Sequence, residues 1–145
     1  MLGCDIGFGE LLRAGQIAKL PRLFGIQPAR CAPIHASFHA QSECAVPIET
    51  GPTIAEGTAI AQPVRLREVL QALWRSRGGT VALSEEAIEK ALWQSAEAGL
   101  YIEPTSAGVI GAFRHCRRMA ISYRGKPRSS FQPAPVSRLQ REFPN

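Results

Sequence analysis

The sequence predicts an α/β fold, a parallel sheet covered by helices. Two observations predict it. Short apolar runs alternate with amphipathic stretches across connections of a few residues, the pattern of strands joined by helical crossovers. Two of these runs, Thr80–Leu83 and Leu100–Ile102, also hand over to helical stretches through hydroxyl and acidic residues. In open sheets of this class ligands collect where strand C-termini meet helix N-termini. The junctions at 83–85 and 102–106 are therefore candidate sites.

The elements follow in chain order. Asp5 to Gln16 (DIGFGELLRAGQ) places Phe8, Leu11 and Leu12 at helical spacing, with Asp5 as N-cap and Gly15 as stop. Lys19-Leu20-Pro21 is a turn, and Arg22–Ile26 reads as a short buried strand closed by Gln27-Pro28. Cys31 to Ala40 suits a second helix with Pro33 in its first turn. Residues 41–52 are a polar loop, followed by Thr53–Ile60, which no proline interrupts. The clearest helix starts at Leu66, where Leu66, Val69, Leu70, Leu73 and Trp74 form one buried stripe, and Gly78-Gly79 ends it.

Thr80–Leu83 is the next strand, with Ser84 placed to cap the helix after it. Glu85 and Glu86 suit the positive end of that helix's dipole, Ala87, Ile88, Ala91 and Leu92 form its apolar face, and Gly99 closes it. Leu100–Ile102 is a third strand, and Thr105 or Ser106 caps a last helix to about Cys116.

At 145 residues the chain has room for one domain. No apolar run approaches the ~20 residues that span a bilayer. The start, MLGCDIGFGE, lacks the basic-then-apolar order of a secretory signal, so a cytoplasmic location is expected and no membrane partner. Cysteines stand at 4, 31, 44 and 116 with no C-x-x-C pair, so neither a zinc ribbon nor a redox motif is written here. Cys31, His35 and His39 are spaced to share one helix face, but no Glu follows the first His as a zincin helix requires. No metal site is expected.

The net charge of +5 hides a division. Residues 114–145 carry eight basic residues against one acid, Glu142, while residues 1–113 carry nine basic and eleven acidic. A basic surface for nucleic acid is therefore not what the balance reports. The stretch RRMAISYRGKPRSSFQPAPVSRLQREFPN has four prolines and no helix or strand period. The sequence divides into a domain at 1–113 and a basic, Pro/Arg/Ser-rich tail at 114–145, expected to be disordered.

Three stretches resemble one family. LGCDIGFGELLRAGQIAKLPRLFGIQP, PTIAEGTAIAQPVRLREVLQAL and GLYIEPTSA together, in this order and spacing, are similar to the C-terminal half of threonine synthase. More broadly they resemble the fold type II enzymes dependent on pyridoxal phosphate. The resemblance covers residues 2 to 113 and implies part of the large domain of a tryptophan synthase β-like fold.

The resemblance also implies a cofactor site. Leu2-Gly3 and the helix from Asp5 match the residues just after the family's phosphate loop, where backbone N–H groups and a helix N-terminus receive a dianion. The loop itself would lie upstream. Thr53–Gly57, with Glu56 and Gly57, matches a segment near the cofactor ring. Glu103-Pro104-Thr105-Ser106 matches the strand end beside the pyridine edge, where a carboxylate and hydroxyls tune the ring. Read from the residues alone, Glu56 and Glu103 are solvated loop acids and Thr105 or Ser106 is a helix cap. The resemblance names Gly3, Glu56, Gly57, Glu103, Thr105 and Ser106 as cofactor-binding.

The family's catalysis needs a Schiff-base lysine. Lys19, Lys90 and Lys126 are the three lysines, and none stands in that context, so no catalytic residue is assigned. The family's closing Thr/Ser-Gly-x-Gly segment is also missing after His115. The chain is therefore expected to be an incomplete and inactive part of such an enzyme, with a shift of reading frame near Cys116. The parent would be a homodimer acting on an amino acid, a lyase converting O-phosphohomoserine and water to threonine and phosphate. A serine/threonine dehydratase or ammonia-lyase, or a non-catalytic interaction module, are the alternatives.

Overall fold

A computed structural model describes residues 1–122. Its centre is a two-stranded parallel sheet of β1 (Phe24–Pro28) and β2 (Gly79–Leu83), in register from Phe24 opposite Gly79 to Pro28 opposite Leu83. Parallel strands need a long crossover. The chain between them supplies it with a 3₁₀ turn (Ala29–Cys31), α2 (Pro33–His39), a second 3₁₀ turn (Glu56–Thr58) and α3 (Leu66–Arg75). Before β1 lies α1 (Leu2–Arg13); after β2 come α4 (Glu85–Glu97) and α5 (Pro104–Ser122).

Alternating strand residues face opposite layers. Val81 and Leu83 join Ile88 of α4 and Ala112 of α5 in one buried cluster, with Ile26 packed against it. On the other face Phe38, Leu66, Leu70 and Leu73 form a second cluster between α2 and α3. Of the predicted α3 stripe, Leu66, Leu70 and Leu73 are buried, the last two with no exposed surface, while Val69 and Trp74 at its edges are partly buried. Each such leucine contributes about 1.5–3 kcal/mol of burial. The α/β class and the parallel pairing are as the sequence predicts.

Several local expectations are corrected. The third strand, Leu100–Ile102, does not form, and Tyr101 is 94% exposed. Gly99 takes a left-handed φ of +80°, and the Leu100 N–H turns back to the Ser95 carbonyl at 2.8 Å. That helix-ending motif leads the chain over the surface into α5, with no strand beside it to pair. Asp5 is not an N-cap, because α1 starts at Leu2; its carboxylate instead pairs with Arg75 at the end of α3. The first strand lies two residues later than its apolar run suggests, since the Leu23 N–H is taken by the Ser76 hydroxyl at 3.1 Å.

Cys31 sits in the 3₁₀ turn, outside α2, so it does not share the helix face of His35 and His39. Among the described residues no three His, Cys, Asp or Glu side chains are close enough to hold a metal ion. Nor is any described helix long and apolar enough to cross a membrane. α5 continues past Cys116 to Ser122, beyond the expected boundary at 113. The rest of the basic tail expectation, residues 123–145, lies outside the described residues.

Two predictions arise from the sheet and its α2 layer. A Cβ on Gly78 would stand 1.6 Å from the Leu23 carbonyl oxygen, a backbone atom that cannot yield without disturbing the start of β1. Gly78→Ala should destabilise the chain by about 3 kcal/mol, the upper range for an overpacked site, read as a lost or strongly lowered melting transition. His35 is packed on the sheet with its Nδ1 3.0 Å from Thr80 Oγ1 and its ring 4.3 Å from that of His39. Burial, and then the neighbouring His39 charge, hold its pKa below the ordinary 6.5. The unfolded chain therefore takes this proton first as pH falls. Its stability contribution is full above about pH 6.5 and declines below it. Melting temperature should drop between pH 7.5 and 5, and the drop should shrink in His35→Gln.

Candidate functional site

Both parallel strands end on the same side of the sheet, at Pro28 and Leu83, because their register pairs those two residues. Beside these ends opens a cleft of about 280 Å³, lined by Ile26, Pro28, Leu83, Thr58, Thr105 and Ser106 among others. That is just under the roughly 300 Å³ at which ligand pockets begin. Its floor is apolar strand surface and its rim carries three hydroxyls. A larger groove of about 490 Å³ between α4 and α5 is lined by Ala87, Ala91, Val109, Ile110 and Phe113 and is apolar. It offers few groups to orient a polar ligand.

The rim is built from two segments. One is the first turn of α5. Proline at the first helical position has the right φ and no N–H to waste. The helix accordingly begins at Pro104, and the first intrahelical bond runs from the Ala107 N–H to the Glu103 carbonyl at 3.0 Å. Glu103 thus holds the capping position, not Thr105 or Ser106 as the hydroxyls suggest. Thr105 and Ser106 lie inside the first turn, with the Ser106 hydroxyl donating weakly to Glu103 Oε1 at 3.4 Å. The other segment is the 3₁₀ turn Glu56–Thr58, anchored by Ala55, which is 3% exposed within the α4/α5 core cluster. Thr58 Oγ1 donates to the Ala55 carbonyl at 3.0 Å.

The two segments meet at Gly57. A Cβ there would lie 2.9 Å from Thr105 Oγ1, so the turn approaches the helix this closely with the Thr105 hydroxyl in place because residue 57 has no side chain. Glycine's usual licence is conformational; here it is close approach.

The six residues named from the sequence are thus placed unequally. Thr105 and Ser106 line the cleft; Gly57 touches Thr105 from behind that lining, Glu103 meets the site only through its 3.4 Å contact with the Ser106 hydroxyl, and Glu56 stands exposed next to Gly57. Gly3 is apart from them. It is exposed on α1, a helix that packs against α3, and nothing approaches its Cβ position. The sequence reading missed Thr58, which lines the cleft. Its signal was available in the hydroxyl directly after Gly57.

The model of the family described as "Pyridoxal-phosphate dependent enzyme" matches residues 2–126. The chain belongs to this family. Curated relatives include threonine synthase of Methanocaldococcus jannaschii, 31% identical over 109 residues, covering 74% of this chain and 27% of the relative. Threonine synthase of Mycobacterium tuberculosis is 32% identical over 105 residues, covering 72% of this chain and 27% of the relative. That of Mycobacterium leprae is 31% identical over 105 residues, with the same coverage. The chain spans about a quarter (27%) of the length of these relatives.

The residues at the cleft fit one edge of pyridoxal phosphate. Three hydroxyls, of Thr58, Thr105 and Ser106, over a mostly apolar floor suit a flat heteroaromatic ring with a polar rim. They do not fit its other requirements. Among the described residues no lysine lines the cleft; Lys90 lines the α4/α5 groove instead. Cys116 packs against the apolar cluster below, and burial pushes its thiol pKa up, which disfavours the thiolate.

The Gly57–Thr105 contact yields a prediction. Gly57→Ala should displace the Thr105 hydroxyl or lift the turn, moving the backbone amide resonances of both segments while lowering stability by about 1 kcal/mol. Pairing it with Thr105→Ser, which removes the methyl and frees the hydroxyl to rotate, should recover part of that loss in thermal melts.

Proposed function

We infer that this chain forms the wall meeting the pyridine edge of pyridoxal phosphate in an enzyme of the threonine synthase type. The observation that carries the reading is the Gly57–Thr105 juxtaposition beside the C-terminal ends of two parallel strands. That is where open α/β sheets receive ligands. The name of the relatives, threonine synthase, supports threonine as the product; an O-phosphorylated amino acid as substrate is what the sequence resemblance implies.

When bound, the cofactor supplies an electron sink for elimination and replacement on the amino acid. The chain's own residues have simpler tasks. Thr105 and Ser106 offer hydroxyls that donate or accept at the ring's polar edge. The exposed Glu103 carboxylate accepts weakly from the Ser106 hydroxyl and so would orient that hydroxyl. The apolar floor of Ile26 and Leu83 keeps water from the ring face. Gly3 and Glu56, named by resemblance, would need other parts of the enzyme to bring them to the cofactor.

No lysine among the described residues lines the cleft, and on that ground we give the chain by itself a binding role and expect no turnover from it. Titrating the isotopically labelled chain with pyridoxal phosphate tests both statements. Amide shifts should concentrate at Gly57, Thr105 and Ser106 and spare Gly3, with no visible band of lysine-linked cofactor and no threonine formed from O-phosphohomoserine. Silence at Gly57 and Thr105 would remove the wall. A stoichiometric visible band, abolished by Lys90→Ala or another single lysine change, would overturn the inactivity.

A further inference from the structure

Apart from Ala55, which is buried in the core cluster, the turn that carries Gly57 to the cleft packs little, since Glu56 and Gly57 are both exposed. It is fastened from the ends of both strands. On the β1 side, Arg30 in the 3₁₀ turn after the strand accepts the Gly51 N–H on its carbonyl at 2.9 Å. Its guanidinium also donates to the Pro52 carbonyl at 3.3 Å. On the β2 side, the first residue of α4, Glu85, accepts the Ile54 N–H on Oε2 at 2.9 Å, a contact spanning 31 residues of chain. Ala55, next after the exposed Ile54, enters the core, and the turn bearing Gly57 comes directly after.

The ordinary account of Glu85 is an acid in a helix's first turn, favoured by the dipole. That account asks only for charge, which both oxygens would serve best while hydrated. Glu85 does otherwise. Its Oε1 is buried and has no hydrogen-bond partner, so the carboxylate has given up water on one oxygen while the other holds Ile54. A group whose orientation costs it solvation is held by geometry. Its neighbour Glu86 is fully exposed, and its pKa is lowered by the nearby Ser84 hydroxyl first, then by its own backbone N–H and the Arg30 charge.

We propose that Glu85 is a positioning residue, the β2-side clasp of a strap at 51–58 that sets Gly57 against Thr105 and so fixes the cleft's rim. For its ligand it rests on the cofactor-wall reading above; the clasp itself does not. Two conservative variants separate clasp from dipole. Glu85→Gln loses the charge and keeps an acceptor at full reach. Glu85→Asp keeps the charge and is one methylene short.

The test is amide hydrogen exchange at Ile54 and Ala55, followed by pyridoxal phosphate titration of the same samples, in the full chain. The clasp predicts exchange at Ile54 within about threefold of the parent chain in Glu85→Gln and about tenfold faster in Glu85→Asp, the loss of one charge-assisted bond. Cofactor affinity read at Gly57 and Thr105 should rank the same way, while all three proteins melt within a few degrees. The reverse ranking, Asp normal and Gln fast, would mean a dipole role and overturn the proposal, as would exchange unchanged in both. If exchange ranks as expected but pyridoxal phosphate shifts no amide in any sample, the clasp stands and the cofactor reading falls.

Discussion

The constraint on which the rest depends is the parallel register of β1 and β2. Antiparallel pairing would put the two strand exits at opposite ends of the sheet. Parallel pairing puts Pro28 and Leu83 side by side and obliges everything between them to return the full length of the sheet. The crossover then has to cover a face, which the stripe of α3 does with Leu70 and Leu73. It also leaves the strand exits free to be roofed by whatever chain the crossover can spare. The 51–58 segment is that chain. The cleft follows from the register and needs no separate design in the sheet itself.

Helix endings set how closely these layers can meet. α1 to α4 all finish with the same pair of backbone bonds closing on the last carbonyls, at Gly15, Gln41, Arg77 and Gly99 in the left-handed region. Two of those are glycines and were legible as stops. Gln41 and Arg77 were not, because a left-handed non-glycine residue carries no signature in its type. At the end of α3 the glycine comes one residue later. Gly78 is spent on the near contact with the Leu23 carbonyl, and that leaves the strained turn to Arg77. Tertiary approach there outranked local preference.

The same distinction explains which parts of the site the sequence carries. The class of fold, the buried stripe at 66–74 and the Ser84 cap rest on periodicity and capping, which act within a few residues; the Ser84 hydroxyl does accept the Ala87 N–H at 3.3 Å. The strand at 100–102 failed for the complementary reason. Its apolar letters are local, whereas a strand exists only when a second chain segment lies beside it, and no pattern within GLYIEP says that none does. The cap of α5 failed more narrowly: two hydroxyls suggested Thr105 or Ser106, but the proline at 104 had already decided the first helical residue. That error matters to the site, because a capping hydroxyl would be committed to backbone and one inside the first turn is available.

Glu85 shows how far sequence reading can go and where it stops. Its position after Ser84 marks it as an acid suited to a helix start, and charge alone explains its presence. Nothing in its neighbourhood in sequence reveals the Ile54 N–H, 31 residues earlier. Two adjacent glutamates with the same local credentials have divergent fates: Glu86 stays in solvent, and Glu85 reaches across the strand exits with one oxygen left unsatisfied. Local chemistry therefore determines that an acid stands at the start of α4. The strap decides which of the two is held still, and a rim built on an otherwise exposed turn needs one that is.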